Sequence, residues 1–265
     1  MCLLVLAWQA HPRYRLVVAA NRDEFHERPA APLARWAPPD DILAGRDLRA
    51  GGTWLGLDPA RRFGVITNFR DLQPPKPGAP SRGELIPQYL RGSASPQQFL
   101  GTLAARAADY SGFNLLLADG DSLWYGCNRA RPFARALKPG VHGLSNEFLD
   151  TPWPKLLRVR AGFERWLGDP LGTGAGLFEL LGDRTRVTDD AQLPSTGVPR
   201  EWERVLSAPF VLNAEYGTRA ATVLLLGYDG SLSVAERRFD PRGQQSAETE
   251  FELNARAWPA PGTPA

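Results

Sequence analysis

The chain is 265 residues long, with 43% hydrophobic and 23% charged residues, which is typical of a folded protein with one large domain or two small ones. Its 31 basic and 29 acidic residues are spread along the sequence, so the charge pattern indicates neither a nucleic-acid partner nor an anionic membrane surface. No apolar run reaches the roughly 18 residues of a membrane span. Two cysteines are too few for a disulfide framework and suit a reducing compartment. We therefore expect a cytoplasmic protein with no membrane span.

The first predicted element is a β-hairpin. Residues 3–8 and 14–20 are short apolar runs rich in β-forming side chains, and a polar segment separates them. Such a hairpin returns the four polar residues 21–24 to the N-terminal end of the first strand. These residues have two interpretations: the exit of a strand into solvent, or charged groups placed beside Cys2.

Cys2 becomes the mature N-terminus if Met1 is removed, and it then carries a free α-amine and a thiol on one residue. An ordinary α-amine has a pKa of about 7.7–8.0 and a free thiol one of about 8.5, so small shifts would let the amine accept the thiol proton. Arg22 would lower the pKa of the thiol, and Asp23 would hydrogen-bond the α-amine. The alternative is that Cys2 is a small buried hydrophobe that opens a strand.

The remaining elements follow from local patterns. The stretch 28–39 is rich in Pro and Arg and is predicted to be a surface loop, and Gly51-Gly52 is predicted to be a tight turn that brings backbone close to another segment. The predicted strands are residues 63–67, 112–118, 122–127, 140–145, 210–212, 219–226 and 232–239. The predicted helices are residues 81–90, 96–108, 152–167 and 175–181, with Ser95 and Thr151 as N-caps of the second and third.

Two of the predicted strands end at an asparagine, Asn68 and Asn146. Each asparagine alone is typical of a turn. Strands, then helices, then strands again predict an α+β fold in which two packed sheets are covered by helices. We expect one domain over residues 1–255 and a loose C-terminal tail over residues 256–265.

Several short motifs together carry a family resemblance. They are Met1-Cys2, Asn21-Arg22-Asp23-Glu24, Gly45-Arg46-Asp47, Gly51-Gly52-Thr53-Trp54-Leu55-Gly56, Thr67-Asn68-Phe69-Arg70, Ser145-Asn146, Thr151-Pro152-Trp153-Pro154-Lys155 and Gly217-Thr218-Arg219. With these motifs the sequence resembles the NRDE family, which includes the transport and Golgi organisation proteins. That family is in turn similar to cysteine N-terminal-nucleophile hydrolases of the bile-salt and penicillin V amidase type.

The resemblance implies a four-layer αββα sandwich and a set of site residues. Carried over to this sequence, the catalytic set is Cys2, Arg22, Asp23, Asn68, Asn146 and Arg219. Cys2 would be the nucleophile and its amine the general base, and the two asparagines would supply oxyanion-hole donors. Arg219 would be a second active-site arginine.

Two functions are then expected. The first is a hydrolase or acyltransferase acting on an amide or thioester bond of a small acyl substrate. The alternative is a non-catalytic carrier for haem or for a hydrophobic ligand resembling acyl-coenzyme A. No cofactor is required by the first function, and haem would be a ligand in the second. His11, His26 and His142 lack the spacing of a metal site. The acyl group, the leaving group and the oligomeric state remain open.

Overall fold

The computed structural model describes residues 3–71, 73 and 78–261, so Met1 and Cys2 lie outside the described residues. The strands in chain order are β1 (Leu3–Trp8), β2 (Tyr14–Phe25), β3 (Ala30–Arg35), β4 (Leu43–Asp47), β5 (Leu55–Leu57), β6 (Phe63–Asn68), β7 (Phe113–Ala118), β8 (Leu123–Cys127), β9 (Ala134–Ala136), β10 (Gly140–Leu144), β11 (Tyr216–Gly227), β12 (Leu232–Phe239) and β13 (Gln245–Leu253). The α-helices are α1 (Leu85–Arg91), α2 (Pro96–Ala104), α3 (Pro154–Leu167), α4 (Gly174–Leu181) and α5 (Arg200–Val205). The fold class is α+β with two antiparallel sheets, as the sequence predicts.

The chain divides into two compact units. Unit 1 combines Met1–Glu27 with Pro139–Ala255, and unit 2 combines Arg28–Lys138 with Arg256–Ala265. The expectation of one domain over residues 1–255 concerns the association of these units and stays a prediction. In the described part of the C-terminal tail, the carbonyls of Ala257 and Pro259 accept hydrogen bonds from Arg61 and Arg35 of unit 2.

Unit 1 is built on an antiparallel sheet with the strand order β10-β1-β2-β11-β12-β13. Every residue of β1 is buried, which shows that both faces of this strand are covered. Helices α3 and α4 pack on one face, where Phe163 and Leu177 meet Val5, Val17 and Val223. The alternation of side chains along a strand therefore assigns the odd-numbered residues of β1 and β2 to the helix-covered face.

Unit 2 is built on an antiparallel sheet whose strands follow one another in chain order from β3 to β9. Helices α1 and α2 pack against it, with Tyr89 and Leu100 in one core with Leu115. Ser95 caps α2 through a capping box with Gln98, as its sequence position predicts. Each unit thus has a sheet with helices on it. The αββα order of four layers concerns both units together and stays a prediction.

The glycine pair before Thr53 does bring two backbone segments together, as predicted. Thr53 N–H donates to the carbonyl of Gly83 at 3.0 Å. A Cβ on Gly52 would lie 2.4 Å from the carbonyl carbon of Gly83, a separation that real Cβ atoms essentially never show. Only glycine fits at position 52.

The surface-loop prediction for residues 28–39 is wrong, because this stretch contains β3. Proline lacks an N–H and normally argues against a strand. Here Pro32 lies where the register between β3 and β4 shifts, between Ala31 and Ala34, so the ladder loses no bond to the missing donor. β3 is also an edge strand of its sheet, and proline is tolerated in edge strands.

Two further boundaries differ from prediction. Helix α3 has Trp153, not Thr151, as its N-cap, because Pro154 holds the preceding residue in an extended conformation. Residues 210–212 form no strand, although Val211 exchanges hydrogen bonds with Thr218. Among the described residues, no helix is both long and apolar enough to cross a membrane.

Candidate functional site

The polar run 21–24 lies inside β2, because the strand continues to Phe25. Arg22 and Asp23 are 4% and 3% exposed. The interpretation of this run as an exit into solvent is therefore wrong. The strand is longer than predicted because β11 extends beside it, pairing Thr218 with Asp23.

The register of β1 brings separate parts of unit 1 to its N-terminal end. Leu3 pairs with Asn21 of β2, and on the other side Leu4 pairs with Leu144 at the end of β10. Arg22 therefore comes one residue beyond the Leu3 pair. Asn146, which is 3% exposed, comes two residues after Leu144. Cys2, the residue that precedes Leu3 in sequence, lies outside the described residues.

Arg22 is a buried cation at this end of the sheet. Strand alternation assigns it to the face opposite the helices, since Val17 and Ala19 pack in the helix-covered core. Its Nη2 lies 3.8 Å from Oε2 of Glu24, at the outer limit of an ion pair. A buried guanidinium stays charged, so it supplies a fixed positive charge.

Asp23 is held by Thr218, a residue that the sequence analysis did not single out for a role. The hydroxyl of Thr218 donates to Oδ1 of Asp23 at 2.7 Å, and its oxygen accepts from Val211 N–H at 2.9 Å. Because the hydroxyl has one proton, the Val211 bond directs that proton towards Asp23. Thr218 thus fixes the orientation of the carboxylate.

Arg219 lies at an irregularity of β11, between the pairs of Thr218 and Ala220 with β2. Bulges of this kind occur next to functional sites, where they redirect a side chain. Nη1 of Arg219 donates to the carbonyls of Phe25 and His26, at 3.0 and 2.8 Å. Burial, followed by the positive charges of Arg22 and Arg238, lowers the pKa of Arg219.

The segment that carries Asn146 is attached back to β10 through Asp150. Oδ1 of Asp150 accepts from Gly143 N–H at 2.8 Å, and Oδ2 lies 3.3 Å from Nδ1 of His142. Nη1 of Arg160 donates to the same carboxylate at 3.2 Å. Burial by itself would raise the pKa of Asp150, but the bonds from His142 and Gly143 and the charges around it outweigh burial and lower the pKa.

Asn68 belongs to unit 2, where it ends β6 and pairs with Phe113. Its side chain is exposed, in contrast to Asn146. The structure therefore brings Arg22, Asp23, Asn146 and Arg219 to one region of unit 1. The role of Asn68 as a partner of these residues stays a prediction.

The second cysteine, Cys127, is fully buried at the end of β8 in unit 2. Burial raises the pKa of its thiol. A protonated, inaccessible thiol is a poor nucleophile. This leaves Cys2 as the cysteine with the sequence context of a reactive group.

Asn21 is a second residue whose importance the sequence analysis missed. Its amide nitrogen donates to the carbonyls of Leu181 and Pro209, at 2.9 and 3.0 Å. These bonds join the strand of Arg22 and Asp23 to the end of α4. The signal in the sequence was an amide on the apolar face of a buried strand, two residues after Ala19.

A family model described as Transport and Golgi organisation 2 matches residues 1–241, which include every residue of the predicted site. The chain belongs to this family. Two curated relatives can be aligned with this chain over nearly the full length of both sequences. The Transport and Golgi organization protein 2 homolog of Bos taurus is 35% identical, covering 96% of this chain and 100% of its own length. That of Homo sapiens is 32% identical with the same coverage.

Among solved structures, the chain is similar to the Caenorhabditis elegans orthologue of N-acylethanolamine-hydrolyzing acid amidase. The match covers 84% of this chain and 92% of that one, at 10% identity and a TM-score of 0.49. The amidase activity in its name is a property of that protein.

Proposed function

We propose that this protein is an N-terminal cysteine hydrolase or acyltransferase that acts on an amide or thioester bond of a small acyl substrate. The observation that carries the proposal is the register around β1, which brings Arg22 and Asn146 to the end of the strand where Cys2 joins the chain. A catalytic cysteine at that end would have a buried cation and a buried amide nearby. Both are groups that N-terminal-nucleophile chemistry uses.

The proposed reaction has two steps. After removal of Met1, the α-amine of Cys2 takes the thiol proton, and the thiolate attacks the acyl carbonyl. The leaving amine or thiol takes that proton as its bond to the acyl carbon breaks, and a thioester to Cys2 remains. Water, or an acceptor in the acyltransferase case, then attacks this thioester with the α-amine as base. The thiol is restored and the acyl product is released.

The other residues of the predicted site would each support one part of this reaction. Arg22 would favour the thiolate over the thiol, since an opposite charge nearby lowers the pKa of a thiol. Asp23, oriented by Thr218, would hydrogen-bond the α-amine. Asn146 and Asn68 would donate to the oxyanion, where removing one such donor costs about 10²–10³ in rate. A thiol nucleophile fits a reducing compartment, and a cytoplasmic location is part of the proposal.

The first experiment is intact-mass analysis of the purified protein before and after brief treatment with a thiol-selective electrophile. We expect loss of Met1 and a single adduct at Cys2, with Cys127 unmodified. An Arg22→Met variant should label at least about tenfold more slowly at neutral pH, because the thiolate loses its cation. Arg165→Met removes an exposed arginine of α3 and is the matched control.

Retention of Met1 would contradict the proposal, because an uncleaved methionine blocks the base. Equal labelling rates in the Arg22→Met and Arg165→Met variants would also contradict the role of Arg22. A Cys2→Ala protein that keeps full turnover of an amide or thioester substrate would exclude Cys2 as nucleophile.

A second candidate function is a carrier for a hydrophobic ligand, and one observation favours it. Phe25 is 48% exposed and packs edge-to-face on Tyr216, which does the same with Trp202, at centroid distances of 5.2 and 6.2 Å. The carbonyl of Phe25 also binds Arg219, so aromatic surface and positive charge adjoin. This combination suits an amphipathic anion that resembles acyl-coenzyme A.

Haem as the carried ligand fits the histidines poorly. His11 is stacked between Tyr14 and Trp166, and His26 and His142 each use a ring nitrogen in a hydrogen bond. None of the three is arranged as an open axial ligand. Saturable binding of an acyl thioester without turnover by the Met1-processed protein would favour the carrier over the enzyme.

A further inference from the structure

Unit 1 contains a cavity of about 120 Å³ that is separate from the residues of the proposed reaction. It lies beside the end of α4, where Phe178 and Leu181 form part of its wall, and Ala221 of β11 also lines it. Ala221 shares the helix-covered core with these two side chains. The cavity is therefore on the helix-covered side of the sheet, opposite the face of Arg22.

Two arginines line the cavity, and each lies over a phenyl ring. The guanidinium carbon of Arg237 is 4.1 Å from the ring centre of Phe178, and that of Arg184 is 4.9 Å from the ring centre of Phe210. Phe210 packs edge-to-face on Phe239 at 4.9 Å. Stacking of this kind restrains the guanidinium groups and lowers the entropy lost when they bind a ligand.

Both arginines keep donors for a ligand. Nη2 of Arg184 donates to the carbonyl of Gly243 at 2.6 Å, and Nε of Arg237 pairs with Glu248 at 3.1 Å. Within the described part of the chain, Nε and Nη1 of Arg184 and both terminal nitrogens of Arg237 have no hydrogen-bond partner. None of the described residues of the lining carries a carboxylate, so one positive charge remains after Glu248 neutralises Arg237.

The size and the chemistry of the walls limit the ligand. Apolar cavities of about 150 Å³ hold a benzene ring, so this cavity limits the enclosed apolar part of a ligand to about one small ring. Guanidinium groups bind carboxylates through paired, charge-assisted hydrogen bonds. The phenyl rings and Ala221 offer apolar contact to the rest of such a molecule.

We propose that this cavity is a binding site for a small organic carboxylate, with the carboxylate on Arg184 and Arg237 and the apolar part against Phe210 and Phe239. The bound molecule would also contact Leu181 and Ala221. Both residues contact Asn21, because the carbonyl of Leu181 accepts a hydrogen bond from the Asn21 amide and Ala221 of β11 pairs with Asn21 of β2. The site is independent of the proposed nucleophile.

The test is titration of the full chain with benzoate, and with benzyl alcohol as a neutral molecule of similar shape, by isothermal calorimetry at constant ionic strength. We expect saturable benzoate binding and at least about tenfold weaker binding of benzyl alcohol, because the charge-assisted bonds are lost. Arg184→Gln and Arg237→Gln should each weaken benzoate about tenfold or more. Arg242→Gln, an exposed arginine outside the lining, should not.

A further variant tests the cavity without removing a charge. Gln245 is an exposed residue of the lining, and Gln245→Phe should block the cavity and abolish benzoate binding while the thermal midpoint stays unchanged. Cys2→Ala should bind benzoate as the wild type does. Absence of saturable binding, equal affinity for benzyl alcohol, or unchanged affinity in both arginine variants would each overturn the proposal.

Discussion

Thr218 fixes the orientation of the Asp23 carboxylate, although the two residues are far apart in sequence. The carboxylate is buried, and a buried charge needs hydrogen-bond donors to offset the loss of water. Thr218 supplies one through its hydroxyl, and the backbone of Val211 holds that hydroxyl in place. The contribution of Thr218 is therefore separable from that of Asp23 by mutation.

We expect Thr218→Val to lower the free energy of unfolding by about 1.5–3 kcal/mol, the range for a hydrogen bond to a charged group. The shape of the side chain is kept, so the change isolates the hydroxyl. Urea denaturation measures the effect, and Thr218→Ser is the control, because it keeps the hydroxyl. A valine variant as stable as the serine variant would show that the hydroxyl does not hold Asp23.

Polar residues at the ends of apolar runs single out Arg22, Asp23 and Asn146 in the sequence, and the family resemblance adds Arg219. Their role as one site stays a prediction. The sequence could not identify Asn21 as the residue that joins β2 to α4, because its partners are carbonyl groups more than 150 residues away. Every residue has a backbone carbonyl, so the sequence does not show which carbonyls accept these bonds. The role of Thr218 was hidden for a related reason, since its partner depends on the register between β2 and β11.

At the scale of elements, the link from β10 to α3 is the one that positions Asn146. Asp150 is its attachment point, with φ at +63° and with bonds from both the backbone and the side chains of its neighbours. Non-glycine residues adopt such a φ rarely, and aspartate is among those that adopt it most readily. The sequence indicated a turn here but not which residue holds it.

Acid should release this attachment. The pKa of Asp150 in the folded protein is below its ordinary value of 3.8, so its stabilising contribution is fully present above about pH 4 and is lost as the pH falls through the folded value. We expect the free energy of unfolding of the wild type to exceed that of Asp150→Asn at pH 5–7, and the difference to shrink steadily below pH 4. Urea titrations across this range test it. A difference that is constant with pH would contradict the pKa shift.

Local sequence patterns predicted most strands and helices, but they failed for segments that are strands only because of their pairing with a neighbouring strand. β3 was missed because Pro32 argues against a strand, and only the register shift beside β4 accommodates it. β13 was missed because it is rich in charged and polar side chains, and most of its residues are exposed. Its pairing with β12 through eight residue pairs, not its hydrophobicity, makes it a strand.

At the scale of the whole molecule, the two sheets differ in how far apart their paired strands lie in sequence. In unit 2 every strand pairs with the next one along the chain, from β3 to β9. In unit 1 the hairpin β1–β2 is flanked by β10 and β11, which follow more than 100 residues later. Pairing of distant segments requires closure of a long loop, and the entropy of that loop is lost before the new contacts stabilise the sheet.

We therefore expect the sheet of unit 2 to form before that of unit 1. Pulsed hydrogen exchange during refolding should show protection of the amides of β6, β7 and β8 at times when those of β11 still exchange. Amides of the β4–β5 ladder are an internal control, because these strands are also neighbours in sequence. Earlier protection of the β2–β11 ladder would contradict this order.

The position of β1 between β2 and β10 also has a consequence during synthesis. The N-terminus leaves the ribosome first, while residues 140–144 are still untranslated and the strand has one neighbour fewer than in the finished sheet. During synthesis, β1 is therefore exposed on the side that β10 later covers. The enclosure of β1 thus depends on the order of translation, because one of its two neighbouring strands is made late.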